Sequence, residues 1–410
     1  MFHRCLFVSF VGATSLLTGV AVAGNTSNSK PTFSKDVAPI VFNRCTECHR
    51  KGEVAPMALT NYKDVRPWAK AIKEAVVSRK MPVWLADPAH GQFSNDRRLP
   101  QQEIDTIVAW ADAGAPEGNV KDLPKMPEFS EGWSIGKPDR IIDMGASFDV
   151  PAEGVIAYKY FQVDPGFTED TWVTAAEARP GDRKSVHHII VFVNAPNDKA
   201  GARTGGNLLI GYAPGEQPSS FAPGEAKLIP AGSKLTFQMH YTPAGKAYSD
   251  RSYIGLKFAK AAPEKRVITS NAMNFNIKIP AGDPNYEVKS SWTAKEDVTL
   301  TSFMPHMHVR GKDFEYTIVY PDGRRNVILS VPKYDFNWQL GYVLKDPLEL
   351  PKGTRIDCVA HFDNSVNNKY NPDPTKEVRW GDQTWEEMMI GWFNYTVPSK
   401  PEAATKGAEE

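Results

Sequence analysis

The sequence has little cysteine, no excess of charge of either sign, and no long apolar run beyond its N-terminus. Four cysteines in 410 residues exclude a disulfide framework as the main support of the fold. Lys plus Arg and Asp plus Glu are equal at 48 each, so the basic surface typical of nucleic-acid-binding proteins is not indicated. The length predicts two to three domains, at about 150 residues per domain.

The N-terminus has the features of an export signal. A short basic start precedes an apolar run from Leu6 to Val22, and Ala21 to Ala23 form a small-residue cleavage site. We therefore predict a signal peptide at residues 1–23 and a periplasmic or secreted protein. The alternative is an uncleaved membrane anchor. No later stretch is long and apolar enough to span a bilayer, so membrane contact is expected only through this segment.

The chain changes from helical to β-rich character near residue 118. SKDVAPIVFNR, with Ser34 as its expected N-cap, PWAKAIKEAVV and PQQEIDTIVAWADAG have the apolar spacing of amphipathic helices. Later runs such as KLTFQMHY are short, β-rich and separated by turn residues, and EYTIVY-PDGR-RNVILSV predicts a hairpin. The predicted fold is a small all-α domain followed by two antiparallel, jelly-roll-like β-sandwich domains. The expected ranges are 30–120, 133–262 and 266–397, with a disordered tail at 398–410.

The segment CTECH, residues 45 to 49, is a C-x-x-C-H motif. Its two thiols, Cys45 and Cys48, are spaced to form thioethers with haem vinyl groups, and His49 is placed to ligate the iron. A chance disulfide or half of a zinc site is the alternative, but zinc would need a second ligand pair. The helical segment resembles small c-type cytochromes, which implies Met81 as sixth ligand of one covalent haem c. Met57 is the main rival.

Five of the nine histidines lie in three strand-like motifs of the β-rich part. His306 and His308 are two apart, so on a strand they face the same way and can hold one ion. The adjacent His187 and His188 can reach one ion only at a strand end or a β-bulge. His240 falls on the strand face opposite its apolar neighbours. Chance pairing is the alternative, and the spacing favours metal binding.

Four motifs occur in a recognisable order: HHIIVFV from residue 187, QMHY from 238, HMHVRGK from 306 and WEEMM from 385. Over most of residues 133–397 this order resembles the copper type II, ascorbate-dependent monooxygenases, which include peptidylglycine α-hydroxylating and dopamine β-monooxygenases. That family has two β-sandwich domains with one copper each. The resemblance implies an electron-storing copper on His187, His188 and His240. It also implies an oxygen-activating, catalytic copper on His306, His308 and Met388.

The resemblance also has departures that bear on substrate. The positions that grip a peptide carboxylate in the amidating enzyme correspond to Met304, Ile390 and Trp392, which are apolar or aromatic. Because a carboxylate needs charge-assisted partners, peptide amidation is not expected. We expect a small apolar or aromatic substrate instead. Met389 stands where the animal enzymes have a cysteine, and Cys358 lacks a partner, so packing must hold the fold.

These observations predict an exported haem and copper monooxygenase that hydroxylates a C–H bond with O2. The haem would relay electrons from a periplasmic donor to the copper sites. The main alternative is a haem and copper electron-transfer or copper-binding protein without oxygenase activity. A zinc hydrolase is disfavoured because thioethers are poor zinc ligands. A purely binding sandwich would leave five motif histidines unexplained.

Overall fold

A computed structural model describes residues 30–129, 132–196, 208–213 and 218–399. The predicted signal peptide lies outside these residues, as does residue 400 onward of the tail predicted at 398–410. The predicted tail begins too early, because Pro398 is the last residue of a strand and the Ser399 amide donates to the Glu264 carbonyl at 2.9 Å. No helix within the described ranges has the length and apolar character needed to cross a membrane.

The N-terminal part is helical and has its own core. Phe33, Val41, Ile107 and Trp110 are buried together in that core. Ser34 is not the N-cap, because the helical segment begins one residue earlier and the Asp36 carboxylate accepts a 2.7 Å hydrogen bond from the Thr32 amide. The helical elements are a π-helical turn (Phe33–Val37), α1 (Ala38–Arg44), α2 (Tyr62–Val65), a 3₁₀ turn (Arg66–Trp68), α3 (Ala69–Val77), α4 (Gln101–Asp112) and a 3₁₀ turn (Val120–Asp122).

The described residues from 140 to 258 form a first pair of packed sheets, called here the first sandwich. Alternating apolar residues such as Leu235, Phe237 and Met239 give each strand one buried face, and Ile254 and Val173 meet that face from the other sheet. The strands are β1 (Arg140–Asp143), β2 (Phe148–Val150), β3 (Lys159–Val163), β4 (Thr171–Arg179), β5 (Val186–Asn194), β6 (Leu208–Tyr212), β7 (Ser219–Ser220), β8 (Glu225–Ile229), β9 (Lys234–Tyr241), β10 (Tyr248–Asp250) and β11 (Tyr253–Phe258).

Residues 265 to 398 form a second pair of packed sheets, the second sandwich. Leu300 and Phe393 of one sheet pack against Tyr316 and Ile356 of the other. The predicted hairpin is confirmed, since Val319 pairs with Arg325 across its turn. The strands are β12 (Lys265–Met273), β13 (Lys278–Ile279), β14 (Tyr286–Thr293), β15 (Val298–His306), β16 (Gly311–Val319), β17 (Arg325–Val331), β18 (Tyr342–Leu350), β19 (Arg355–Phe362), β20 (Val378–Arg379) and β21 (Ile390–Pro398).

One sheet runs through both sandwiches, in the order β1-β11-β4-β8-β12-β21-β15-β18. The link is a short parallel pairing in which Glu225 and Ala226 of β8 meet Lys265 and Arg266 of β12. This contact departs from the purely antiparallel pattern that the sequence predicts. It positions the first sandwich directly beside the second, and so fixes the histidine motifs of the two relative to each other.

The segment after Met81 leaves the helical core and packs on the second sandwich. The Trp84 and Phe93 rings lie 5.0 and 5.6 Å from the Tyr342 ring, and Phe93 forms an isolated bridge with Leu344. The Asp87 amide donates to the Ser330 carbonyl at 2.8 Å. The helical part is therefore anchored to the β-rich part by its own chain, which the sequence pattern did not predict.

Candidate metal centres

A β-bulge brings three histidines together in the first sandwich. On β5 and β9, Val186 pairs with Tyr241 and His188 pairs with His240, so the register shifts at His187. The extra residue rotates His187 toward the side on which His188 lies, as the adjacency of the two histidines required. One ring nitrogen of each of the three histidines lies within 4.8 Å of the others.

The distances from the His188 Nδ1 to the Nδ1 atoms of the other two histidines suit ligands of a single metal ion. The His188 Nδ1 lies 3.5 Å from the His187 Nδ1 and 3.4 Å from the His240 Nδ1. Imidazole nitrogens bound at about 2.0 Å to one ion, at tetrahedral to trigonal angles, lie roughly 3.3–3.5 Å apart. His188 is therefore at ligand-sharing distance from both other histidines, and all three, called here the histidine triad, offer a ring nitrogen within 4.8 Å of the others.

Burial keeps the triad neutral. Loss of hydration lowers the pKa of His187 to about 4 and that of His240 to about 2, and lowers the pKa of His188 as well. Neutral imidazoles carry free lone pairs for a metal.

A second pair of histidines lies where β15 ends. His306 is the last residue of the strand, and His308 lies just beyond it, so the strand alternation assumed from the sequence does not extend to His308. The two rings are nevertheless neighbours, with centroids 5.3 Å apart. The Nδ1 of His306 lies 2.6 Å from the Gln339 Oε1, and the Nδ1 of His308 lies 3.1 Å from the Glu386 carbonyl oxygen.

These contacts fix the orientation of both rings of the pair. When Nδ1 donates to an oxygen acceptor, the lone pair of the ring is on Nε2, a common arrangement around metal ligands. The His308 side chain is fully buried, its Nε2 has no hydrogen-bond partner among the described residues, and burial lowers its pKa to about 3. Desolvation also lowers the pKa of His306.

Buried Glu387 holds the backbone around His308. Its carboxylate accepts hydrogen bonds from the His308 amide at 2.9 Å and from the Arg310 amide at 2.7 Å. Burial raises the pKa of Glu387 to about 8, while the two amides and the Arg310 guanidinium oppose that shift. Arg310 is itself buried and donates to the Asn364 side chain and the Trp385 carbonyl. This network fixes the turn that carries His308.

Adjacent methionines point to different environments. Met389 is fully buried in the core of the second sandwich, where it accepts a 3.1 Å contact from the Ser290 hydroxyl. Met388 lies two residues before β21, in an apolar cluster with Ile390 and Trp392. His306 pairs with Ile390, so these two side chains lie on the same face of the sheet. Met388 is in the same cluster as Ile390 and therefore lies near that face. Of the two, Met388 is the thioether on the side of the histidine pair.

The triad and the pair approach each other across two aromatic rings. The Tyr158 ring centroid lies 4.8 Å from that of His240 and 6.4 Å from that of His308. From the second sandwich, Phe336 stacks on His187 at 5.1 Å and lies 6.2 Å from His308. The two histidine groups are thus separated by little more than one ring.

The CTECH motif forms a compact turn after α1. The His49 amide donates to the Cys45 carbonyl at 2.9 Å, and the Met57 carbonyl oxygen lies 3.2 Å from the His49 Nδ1. That contact places the lone pair of the neutral His49 ring on Nε2, the nitrogen that could ligate a metal. Burial raises the pKa of the Cys45 thiol to about 12. This donor set of two thiols and one oriented imidazole fits covalent attachment of haem. Met81 is half-buried beyond the end of α3, and Met57 packs on the helical core.

The turn formed by the CTECH motif lies against the first sandwich. Arg183 Nη1 lies 3.5 Å from the Glu53 carboxylate, and a charged cavity of about 100 Å³ beside Cys48 is also lined by Tyr212. Arg183 lies four residues before His187, and Tyr212 pairs with Ile189 of β5. The turn is therefore adjacent to the strand that carries the histidine triad.

Four residues of these sites were not found from the sequence. Tyr158, Phe336 and Gln339 lie outside the histidine motifs, and nothing in their local pattern marks them. Glu387 had a signal, since it belongs to the WEEMM motif, but its hydrogen bonds to the turn after β15 depend on the fold.

Comparison with known proteins does not identify the chain. No protein-family model matches it, and no curated protein matches it. Solved structures with some similarity include the major capsid protein P2 of bacteriophage PM2, at 8% identity over 64% of this chain and 98% of that chain, with a TM-score of 0.26. Another is VP2 of infectious bursal disease virus, at 10% identity over 64% and 73%, with a TM-score of 0.18. Scores at this level carry no argument about the fold or function of the chain.

Proposed function

We propose that the protein is an exported copper monooxygenase that hydroxylates a C–H bond of a small molecule with O2. Its electrons would enter through a covalent haem c held by Cys45, Cys48 and His49. The observation that carries the proposal is the histidine triad. The His188 Nδ1 lies 3.5 Å from the His187 Nδ1 and 3.4 Å from the His240 Nδ1, distances that suit ligands of one ion.

Each group of side chains has a separate task in this proposal. His187, His188 and His240 would hold one copper through neutral imidazoles. His306 and His308 would hold the second copper, with Met388 as the thioether that favours Cu(I). When bound, the coppers would supply the one-electron chemistry by which O2, two electrons, two protons and a C–H bond become an alcohol and water.

The protein around the two sites would control access of water. Tyr158 is 7% exposed, and its ring lies against both histidine groups. Phe336 covers the other side of His187 and approaches His308. These rings would exclude bulk water from the space between the sites, and so protect reactive species from side reactions.

The position of the CTECH turn supports the role of the haem as electron entry. The ion pair of Glu53 with Arg183 and the cavity between Cys48 and Tyr212 join this turn to the first sandwich. Arg183 lies four residues before His187 in the sequence, and Tyr212 pairs with the strand that carries the triad, so this contact is joined more directly to the triad than to the second histidine pair. We expect the haem to exchange electrons with the copper held by the triad.

Stopped-flow spectroscopy tests this function on the full-length protein. The haem is reduced anaerobically in copper-free protein, which is then mixed with one equivalent of Cu(II), and haem oxidation is followed by its absorption spectrum. We expect rapid oxidation in the native protein and much slower oxidation in the His187→Ala/His240→Ala double variant, which serves as the control. If both proteins oxidise at the same rate, the haem does not deliver electrons to the triad.

A further inference from the structure

A cavity of about 460 Å³ lies between the two sandwiches, in the size range of small-molecule sites. One wall is the outer face of the sheet that carries the second histidine pair. On this face Ser302 pairs with Asn394, Met304 with Trp392, and His306 with Ile390. Ser302, Met304, Asn394 and Trp392 line the cavity. Because alternate residues share a face, the wall leads along both strands toward His306.

Lys227 contributes a buried cation to the same cavity. Its side chain extends from β8, and the residue is 6% exposed. The ammonium donates to the Leu208 carbonyl at 3.0 Å and to the Leu209 carbonyl at 3.1 Å. An ammonium has three donors, so two carbonyls do not saturate it. Among the described residues, no carboxylate lies within ion-pair distance of Lys227.

A buried ammonium without a countercharge is costly. The Lys227 Nζ lies 5.6 Å from the Phe221 ring centroid, but a ring and two carbonyls do not neutralise its charge, so its position favours an anionic partner. Burial alone lowers its pKa to about 7, and no neighbouring charge contributes to that shift. The remaining charged side chains that line the cavity are Arg97, Lys345 and Glu225, so the described lining has a positive excess. An anion in the cavity could accept a charge-assisted hydrogen bond from the ammonium, which would compensate for the hydration that the ammonium has lost.

Leu208 links this cation to the candidate catalytic side chains. Its carbonyl accepts from Lys227, while its side chain packs in one cluster with Met388, Ile390 and Trp392. Lys227 therefore adjoins a residue of the apolar cluster that contains Met388. A molecule fixed at Lys227 would place its body along Met304 and Trp392, directed toward His306.

We propose that Lys227 binds the carboxylate of an organic acid substrate whose aromatic or aliphatic body lies on Met304 and Trp392. This inference rests on the proposed monooxygenase function, and it specifies the substrate class of that site. It also revises the expectation from the sequence that the substrate pocket has no charged side chain to bind a carboxylate. The positions compared in the sequence are indeed apolar, and the cation comes from a strand of the first sandwich.

Binding to copper-free, full-length protein tests the inference without requiring activity. Isothermal titration compares 4-phenylbutyrate with its neutral amide, which has the same apolar body. We expect the native protein to bind the acid at least tenfold more tightly than the amide. Lys227→Met should remove that preference, and Lys227→Arg should retain it. Lys289→Met, on the exposed face of β14, serves as the matched control and should bind as the native protein does.

Three results would overturn the inference: equal affinity of the native protein for acid and amide, an unchanged preference in Lys227→Met, or no binding of either probe. Copper stoichiometry is measured separately on each variant. An acid preference that depends on Lys227 in a protein that binds no copper would contradict the proposed function and leave the binding site standing. Two bound coppers without an acid preference would contradict the binding site at Lys227 and leave the proposed function standing.

Discussion

Replacing His308 with alanine should remove one of two coppers from the loaded protein and abolish substrate-dependent oxygen consumption. His308 is fully buried, its Nδ1 is held by the Glu386 carbonyl, and its Nε2 has no other partner among the described residues. Loss of a residue that merely orients a ligand costs about 10–100-fold in metal affinity, and loss of the ligand itself should cost more. Mass spectrometry of metals and an oxygen electrode measure the two effects.

His361→Ala is the matched control for this experiment. His361 is a histidine of the same sandwich, on β19, but its Nδ1 contacts the Asp313 carboxylate at 2.6 Å, and the residue is half-buried on another sheet. We expect this variant to retain both coppers and native oxygen consumption. If His308→Ala also retained both coppers, the pair at the end of β15 would not be a metal site.

Replacing Glu387 with alanine should cost about 2–6 kcal/mol of stability, because two buried backbone amides each lose their acceptor at about 1–3 kcal/mol. Its carboxylate satisfies the His308 and Arg310 amides, and Arg310 is only 2% exposed. Removal of this side chain leaves two buried amides without acceptors. It also removes the Glu387 charge that opposes the lowering of the Arg310 pKa by burial. Urea unfolding of copper-free protein measures the loss without a contribution from metal binding.

Glu386→Ala provides the comparison. The Glu386 carboxylate is half-buried and accepts from the Gln383 amide at 2.9 Å, while its contact to His308 is made by the backbone carbonyl. We expect this variant to lose less than about 1.5 kcal/mol, the contribution of an ordinary hydrogen bond. Equal losses in the two variants would mean that Glu387 does not specifically hold the turn after β15.

The sequence allowed prediction of those features that depend on local pattern. The adjacency of His187 and His188 predicted a bulge or strand end, and the register shift between Val186 and His188 confirms a bulge. The turn residues of PDGR predicted the hairpin of β16 and β17, which the structure also has. Three of the helical stretches were found from their apolar spacing. Each of these signals lies within a few consecutive residues.

The features that were missed depend on contacts between distant parts of the chain. Tyr158 lies against His308 only because its amide donates to the Gln383 side chain, 225 residues later in the sequence. Lys227 has no local signal, since a lysine on a strand usually faces solvent. Its burial follows from the edge-to-edge pairing of β8 with β12. The strand alternation also failed at His308, because β15 ends at His306.

The metal content of the purified protein tests the central claim most directly. The full-length protein would be exported with haem maturation active, loaded with copper, desalted, and analysed by mass spectrometry of its metals. The proposed function predicts two coppers for each haem iron. Zinc in place of copper, or no metal beyond iron, would contradict the copper assignment for both histidine groups. A single copper would contradict the paired-site monooxygenase and favour an electron-transfer protein.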